Sequence, residues 1–298
     1  MCNKTLKVHQ NSYSHLLYLF RHLAEDLKRN HNLNENDVQT AIDVMNINFR
    51  RVSKGQLPSE INFNDMNYCV GYLHRFALCH ATMVQKAIVF HVLRSPPLEL
   101  MVKLSPNQGL NLVGIGSGPA NDVIGFLSAF KDQCTKLRSL DITVVDKMPG
   151  WNQAFTEAVR ILRSDKSSGV LSTLFKSGGP DVTTSYLAGD LEMENLSQGL
   201  QTKLRSADVI LLIKVLSHVP DHKKLLLLRN IETNMSPGAV LIYMDSPFPS
   251  SKFADLTSLK SVYEAERKKY KFRFRVYNFG HINLTQCHAS TRIFVKQN

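Results

Sequence analysis

Three glycines at alternate positions mark where this chain can do chemistry. In LNLVGIGSGPANDVIGFLSAF, residues 110 to 130, Gly114, Gly116 and Gly118 separate an apolar run from a helix-forming run. A missing Cβ lets a ligand approach the backbone, and the place after a strand is where α/β folds bind ligands. The spacing then separates ligand classes. A dinucleotide loop reads G-x-G-x-x-G/A and turns a helix N-terminus toward a pyrophosphate. Here Pro119 stands at the third place counted from Gly114, and Asn121 at the one counted from Gly116. No GxxxxGK[ST] run is present, so a triphosphate loop is not indicated. The spacing suits a nucleoside without a pyrophosphate, with the chain passing close to an amino acid and a ribose.

The elements around this loop are legible from periodicity. Residues 12 to 52 and 66 to 93 carry helical patterns, the second ended by Pro96 and Pro97, with Asn34 or Asn36 as a cap within the first. SKGQLPSEINFND links the two. From residue 110 the pattern changes to β-rich runs: LNLVGI (110–115), LDITVVD (140–146), TTSYLAGD (183–190), ADVILLIKV (207–215) and AVLIYMD (239–245), with helical segments between. Alternation of this kind implies a mainly parallel sheet with helices on both faces. Asn121 or Asp122 is the expected cap of the helix after the glycines. KYKFRFRVYNFG and TRIFVKQN alternate as an antiparallel edge pair would, with Phe272, Phe274 and Val276 inward and Lys271, Arg273 and Arg275 outward. The expected division is a helical extension or lid over 1–105 and an α/β domain over 106–298.

With these runs in order, GIGSGPAND resembles the first motif of class I S-adenosylmethionine-dependent methyltransferases, in the subset with an IGSGP-type loop. VVDKMPGW resembles the second, YLAGDLEM the third, and ADVILLIKVLSHVPDHKKLLLLRNIETNMSPGAVLIYMD the fourth and fifth together. Four motifs follow in order over about 135 residues. The resemblance implies a doubly wound, mainly parallel seven-stranded sheet (a Rossmann-like methyltransferase fold) with an antiparallel C-terminal edge. It implies S-adenosyl-L-methionine as cofactor and S-adenosyl-L-homocysteine as product. It assigns cofactor contacts to Gly114, Gly116, Gly118 and Pro119, to Asp146 as acceptor for both ribose hydroxyls, and to Lys147 and Met148 after it. Asp190 would accept from the adenine amino group, the Leu191 amide would face the ring, and Lys214 would line the methionine end. The chain departs from the common pattern at Gly114, where many relatives carry an acid, and at Ala120, where glycine is frequent.

The acceptor side is less specified. His218, in KVLSHVPD, is either a general base for an oxygen or nitrogen nucleophile or part of a packing turn. Tyr72 and His80, with Tyr68, His74 and Arg75 nearby, form either an acceptor wall or satisfied polar groups in a core helix. His74 and His80 are six apart, the wrong spacing for two metal ligands on one helical face, and no metal site is predicted. Trp151 is either packing or an adenine platform. Glu192 and Glu194 lie close to Asp190. No NPPY-type motif for amino-nitrogen methylation and no cysteine in a pyrimidine-nucleophile motif is present. The function expected is methyl transfer to an oxygen or nitrogen of RNA, protein or a small molecule; the alternative is a methyltransferase-like binding or scaffold protein without turnover.

Composition bounds these expectations. The chain has 298 residues, 43% hydrophobic and 20% charged, as ordinary globular proteins do. No uninterrupted apolar run of about 18 residues suggests a membrane span, and MCNKTLKVHQNSYSH is too polar for a signal peptide, so an intracellular protein, cytoplasmic or nuclear, is expected. Five scattered cysteines without a CxxC pair indicate reduced thiols. The net charge of +11 is uneven: Lys and Arg outnumber Asp and Glu by 12 to 8 over 1–105, match them over 106–250, and exceed them by 10 to 3 over 251–298. A basic C-terminal region of this kind offers a surface for nucleic acid or only a solvated face.

Overall fold

The computed structural model describes residues 13–53, 61–164, 171–245 and 253–298. Two helices come first, α1 (Ser14–Asn30) and α2 (Glu35–Ser53). Leu16, Leu19, Phe20, Leu23 and Leu27 recur at helical spacing and bury one stripe of α1. Asn34 is the cap of α2: its side chain accepts the Asn36 amide at 2.9 Å and its carbonyl the Val38 amide at 3.2 Å. A long rod follows, α3 (Met66–Tyr72), a π-helical stretch (Leu73–Ala77) and α4 (Leu78–Phe90), then α5 (Leu98–Lys103). Among the described residues Met66–Arg94 is long and apolar enough by composition to cross a membrane, but His74, Arg75, His80 and Lys86 interrupt it and most of it is buried inside this fold, as in a core helix.

The α/β part runs β1 (Gly109–Ile115), α6 (Asn121–Ala129), α7 (Lys131–Cys134), β2 (Ser139–Asp146), α8 (Trp151–Arg163), β3 (Asp181–Ala188), α9 (Gln198–Ser206), β4 (Val209–Ile213), α10 (Asp221–Asn234) and β5 (Val240–Asp245). It ends with β6 (Leu259–Lys271), a small ladder of β7 (Tyr277–Asn278) and β8 (His281–Ile282), and β9 (Gln286–Lys296). The seven-stranded sheet has the order β3-β2-β1-β4-β5-β9-β6. Its first five members are parallel, and β9 inserts antiparallel between β5 and β6. This is the doubly wound sheet with an antiparallel edge that the motifs imply. Every residue of β4 and β5 is buried, as strands covered on both faces must be. The order in which strands are added to the sheet reverses between β1 and β4, which opens a crevice at the carboxyl ends of the strands.

Alternate side chains divide the core in two. Leu112, Ile142, Leu211 and Ile242 face α1 to α6 and α8, while Val113, Ile210, Leu212 and Leu241 face α9 and α10. The first face is one contiguous apolar cluster from Leu16 to Val295, so the N-terminal helices and the sheet share a core.

The antiparallel edge differs from expectation. The strand paired with β9 is Leu259–Lys271, earlier than KYKFRFRVYNFG, and residues 272–276 lie outside any strand. Phe272 instead stacks on Phe274 at 5.2 Å, beneath the Lys86 ammonium at 5.0 Å. The alternation itself holds: Phe272 is buried and Phe274 and Val276 half-buried, while Lys271, Arg273 and Arg275 are exposed. Strand β6 escapes an apolar pattern because it is a charged edge strand, the usual protection against unwanted pairing.

The π-helical stretch anchors the segment after β6. Widening the helix releases a carbonyl from the ladder, and Arg75 O accepts the Leu284 amide at 2.7 Å. His74 Nε2 donates to His281 O at 2.9 Å, and the Arg75 guanidinium donates to Asn46 Oδ1 at 3.1 Å and to Ile282 O. Removing this clamp with Arg75→Leu is expected to lower stability by about 1.5–3 kcal/mol, the value of charge-assisted bonds lost with an acceptor left behind. Amide exchange should rise first at residues 277–284; unchanged protection there would place the clamp elsewhere.

Candidate functional site

The glycine loop leaves β1 and bends twice through left-handed backbone, at Gly116 (φ +60°) and Gly118 (φ +48°). A Cβ on Gly116 would lie 2.7 Å from Val215, and one on Gly118 would lie 3.2 Å from the Trp151 ring. These two glycines and Pro119 line a cavity of about 420 Å³ at the carboxyl ends of the strands. Gly114 is not among its lining residues; it lies against Ser117 and Val123, where a Cβ would be 2.2 Å from Ser117 Oγ. Its bareness serves the loop's own packing. Ala120, φ +65°, caps α6 in a conformation that favours glycine, in place of the Asn121 or Asp122 expected.

Asp122 acts from inside the first turn of α6. It is buried, accepts Ser117 Oγ–H at 2.7 Å on Oδ2 and the Val123 amide at 3.0 Å on Oδ1. Burial pushes its pKa up from 3.8 to about 7 despite those bonds, and the nearby Asp146 carboxylate adds to the rise.

Asp146 ends β2 and ties three loops together. Its Oδ2 accepts the Gly118 amide and its Oδ1 the Met148 amide, both at 3.0 Å, and its carbonyl accepts the Gly189 amide at 3.0 Å. Burial raises its pKa, and the two amides oppose the rise. A carboxylate offers about four acceptor sites, so two remain for a pair of ligand hydroxyls. Met148 is held in turn by Tyr186, whose hydroxyl donates to Met148 O at 2.6 Å. Lys147, Met148, Asp190 and Leu191 also line the cavity. Asp190 Oδ1 accepts the Glu192 amide at 2.8 Å, and Glu192 sits on the cavity wall 3.4 Å from Lys223 and 4.0 Å from Lys147.

Lys214 and His218 form the opposite wall. Lys214, at the end of β4, holds φ +60°, a conformation uncommon for a side-chain-bearing residue. It persists because the Lys214 amide donates to Met244 O at 2.8 Å while its ammonium donates to His288 O and lies 4.0 Å from the buried Asp245 carboxylate. Asp245 also accepts the Ser217 amide at 3.0 Å, fixing the turn that carries His218. The His218 ring faces the cavity 5.2 Å from the Phe49 ring, edge to face. The surrounding protein pulls its pKa down, and Asp245 opposes that shift.

The N-terminal helices supply an aromatic roof. Phe63 packs on Trp151 at 4.6 Å, and Tyr72 meets Trp151 edge to face at 5.3 Å. Trp151 is thus both a packing residue under Gly118 and a lining residue. Tyr72 lines the cavity, whereas His80 does not; the two bond through Tyr72 OH and His80 Nδ1 at 3.1 Å. Burial lowers the His80 pKa to about 3, and the nearby Lys214 adds to it, so the ring is neutral and orients the tyrosine. Of the ten residues assigned cofactor contacts from sequence, all but Gly114 line one cavity, together with Tyr72, Trp151 and His218; His80, Tyr68, His74 and Arg75 do not line it. Phe49, Ile61 and Phe63 were not singled out, Phe63 because it sits in a segment that reads as a linker. Asp245 was missed as well, although a lone acid closing an apolar strand is the same signal that marks Asp146.

Comparison with known proteins gives no matching family profile and no matching curated protein. Solved structures give matches of low identity. N-methyltransferase NodS from Bradyrhizobium japonicum WM9 is 15% identical with a TM-score of 0.38, covering 72% of this chain and 98% of its own. Magnesium protoporphyrin IX methyltransferase from Synechocystis PCC 6803, with bound SAM, is 12% identical with a TM-score of 0.41, covering 89% and 98%. The CurJ carbon methyltransferase is 14% identical with a TM-score of 0.46, covering 92% and 70%.

The raised pKa of Asp122 makes a pH prediction. Its unfolded carboxyl releases a proton near 3.8 and the folded one near 7, so in between the folded chain holds the extra proton. Stability therefore falls as pH rises through that window, each pKa unit being worth about 1.4 kcal/mol. Asp122→Asn keeps an acceptor for Ser117 and is expected to flatten the fall. Urea midpoints at about pH 4.5 and about pH 7.5 measure it; equal differences in the two chains would assign the effect to another group.

Proposed function

We propose that this chain is an S-adenosyl-L-methionine-dependent methyltransferase acting on an oxygen or nitrogen of its acceptor. The observation that carries the reading is Asp146, a partly buried carboxylate whose two oxygens are each aimed by one backbone amide, beside a loop with left-handed glycines. That arrangement fits a ribose diol next to an unobstructed backbone. The order of the four motifs supports the same ligand. The loop lacks the third glycine of a pyrophosphate loop, and at the start of α6 the buried Asp122 carboxyl takes the Val123 amide that would face an anion.

The residues present fit the group. Asp146 would hold the ribose, and Asp190 with the Leu191 amide the base. Gly116, Gly118 and Pro119 would let the chain pass close to the amino-acid end, with Lys214 beside it. When bound, the sulfonium supplies an activated methyl group. The protein is then left to align the acceptor, exclude water and take up a proton if one is released. Phe49, Phe63, Tyr72 and Trp151 keep the cavity apolar on its roof. His218, on the wall with a lowered pKa, is the group placed to accept a proton. The neutral Tyr72–His80 pair offers a hydrogen bond to an acceptor without adding charge.

Isothermal titration with S-adenosylhomocysteine tests the reading directly: binding is expected, and its absence with an intact fold would overturn it. Binding of NAD in its place would support a nicotinamide enzyme. Asp146→Ala is expected to weaken S-adenosylhomocysteine by about 1.5–3 kcal/mol, the cost of losing charge-assisted hydrogen bonds. Binding without methyl transfer to any acceptor fraction would support the scaffold alternative.

A further inference from the structure

The C-terminal edge carries a charge pattern that the cofactor cavity does not need. From Arg267 to Asn298 the chain has eight Lys or Arg and no Asp or Glu. Arg267, Lys268, Lys269, Lys271, Arg273 and Arg275 are all exposed, and none pairs with a carboxylate among the described residues. Elsewhere exposed cations do pair, as Arg160 does with Glu157 and Arg21 with Glu25. Six unneutralised cations within nine residues repel one another, and such an arrangement favours a polyanion.

Their placement gives the polyanion a direction. Strand β6 is one of the two edges of the sheet, and residues 267–275, its last five and the four that follow it, span about 25 Å if extended. Lys269 pairs with His288 and Lys271 with Gln286, so these residues share one face, while Lys268 and Tyr270 share the other. His288 feels the positive charges of Arg267, Lys269 and Lys214. Its carbonyl accepts the Lys214 ammonium, and Lys214 lines the cavity. The basic edge is thereby joined to the cavity through one strand. At the far end Tyr277, 71% exposed, follows Arg275 and offers a ring for a base to stack on.

We infer that this edge, from Arg267 to Tyr277, is a track for single-stranded RNA that presents the methyl acceptor to the cavity. The inference rests on the methyltransferase reading for the word acceptor, and on the edge alone for RNA. A linear polymer with a charge at each repeat matches a run of cations that follows the end of β6 and the segment after it. An amphipathic membrane-binding segment lays a whole apolar face beside its charges, and among the described residues from 253 on only Tyr277 and Ile282 are exposed large apolar side chains. A single strand is required because the cavity is roofed by Phe49, Phe63 and Tyr72, and a base can reach it only out of its stack.

Fluorescence anisotropy with a labelled mixed-sequence single-stranded RNA tests this on the full chain across a salt series. With about five phosphates neutralised, log K against log salt should have a slope near −3.5, about 0.7 per contact. The triple variant Lys268→Glu, Lys269→Glu, Lys271→Glu should lose at least about tenfold in affinity and about 2 in slope. The Gln version, which is gentler on the pairing of β6, should lose less affinity in the same direction. Neither should change the affinity for S-adenosylhomocysteine. Salt-insensitive or absent RNA binding would overturn the inference while leaving the cofactor reading standing. Equal displacement by polyglutamate or phosphatidylserine vesicles would overturn it too. RNA binding without S-adenosylhomocysteine binding would uphold the track and remove the methyltransferase reading.

Discussion

The cavity depends on one residue being bonded three ways. Asp146 takes the Gly118 amide on one carboxylate oxygen, the Met148 amide on the other and the Gly189 amide on its carbonyl. The ends of β1, β2 and β3 are thereby held at fixed distances from a single carboxylate. Each amide that points at Asp146 would otherwise be an orphan donor at a loop, and each is satisfied without filling the carboxylate's remaining lone pairs. The site is shaped before a ligand arrives, which reduces the ordering that binding must impose.

The other half of the cavity is shaped from the far side of the molecule. The N-terminal helices share the sheet's apolar core, so the roof made by Phe49, Phe63 and Tyr72 is part of the folded body. On the wall, the left-handed Lys214 is held by its amide bond to β5, its ammonium bond to β9 and the buried Asp245. Left-handed backbone at a non-glycine residue persists only when its surroundings over-determine it. Here the surroundings are the insertion of β9 beside β5, so the antiparallel edge and the cavity wall are one construction.

Much of this was legible in sequence, for physical reasons that also explain the rest. Strands β4 and β5 announce themselves because both faces are buried and their runs are apolar throughout, β1 and β2 because their inner halves are buried, and β3, an edge strand with no fully buried residue, through its place in the alternation; Gly116, Gly118 and Asp146 stand at the strand ends where the chain must turn. Gly114 misled because its missing Cβ makes room for Ser117 and Val123, a neighbour that spacing alone does not name. The cap of α6 was misplaced because Asp122 satisfies an amide from inside the helix. Strand β6 was missed because its register is set by pairing with β9, two bulged steps included, while its side chains are mostly charged. Phe63 was missed because a residue in a connecting segment reaches Trp151 only through the fold.

The same logic orders the charges. An edge strand must carry charge to stay unpaired, but either sign serves that end. Strand β6 uses both signs up to Glu266 and only positive residues from Arg267, and the change falls where the strand passes its bulge and approaches His288. Edge protection accounts for charged residues; it does not account for one sign over the rest of the chain. Leaving those cations unpaired costs self-repulsion that a few carboxylates would remove, as Glu264 does for Arg292. The half of the edge nearest the cavity is therefore the half that a neutral-on-average design would have balanced, and its imbalance is the feature that calls for an anionic occupant.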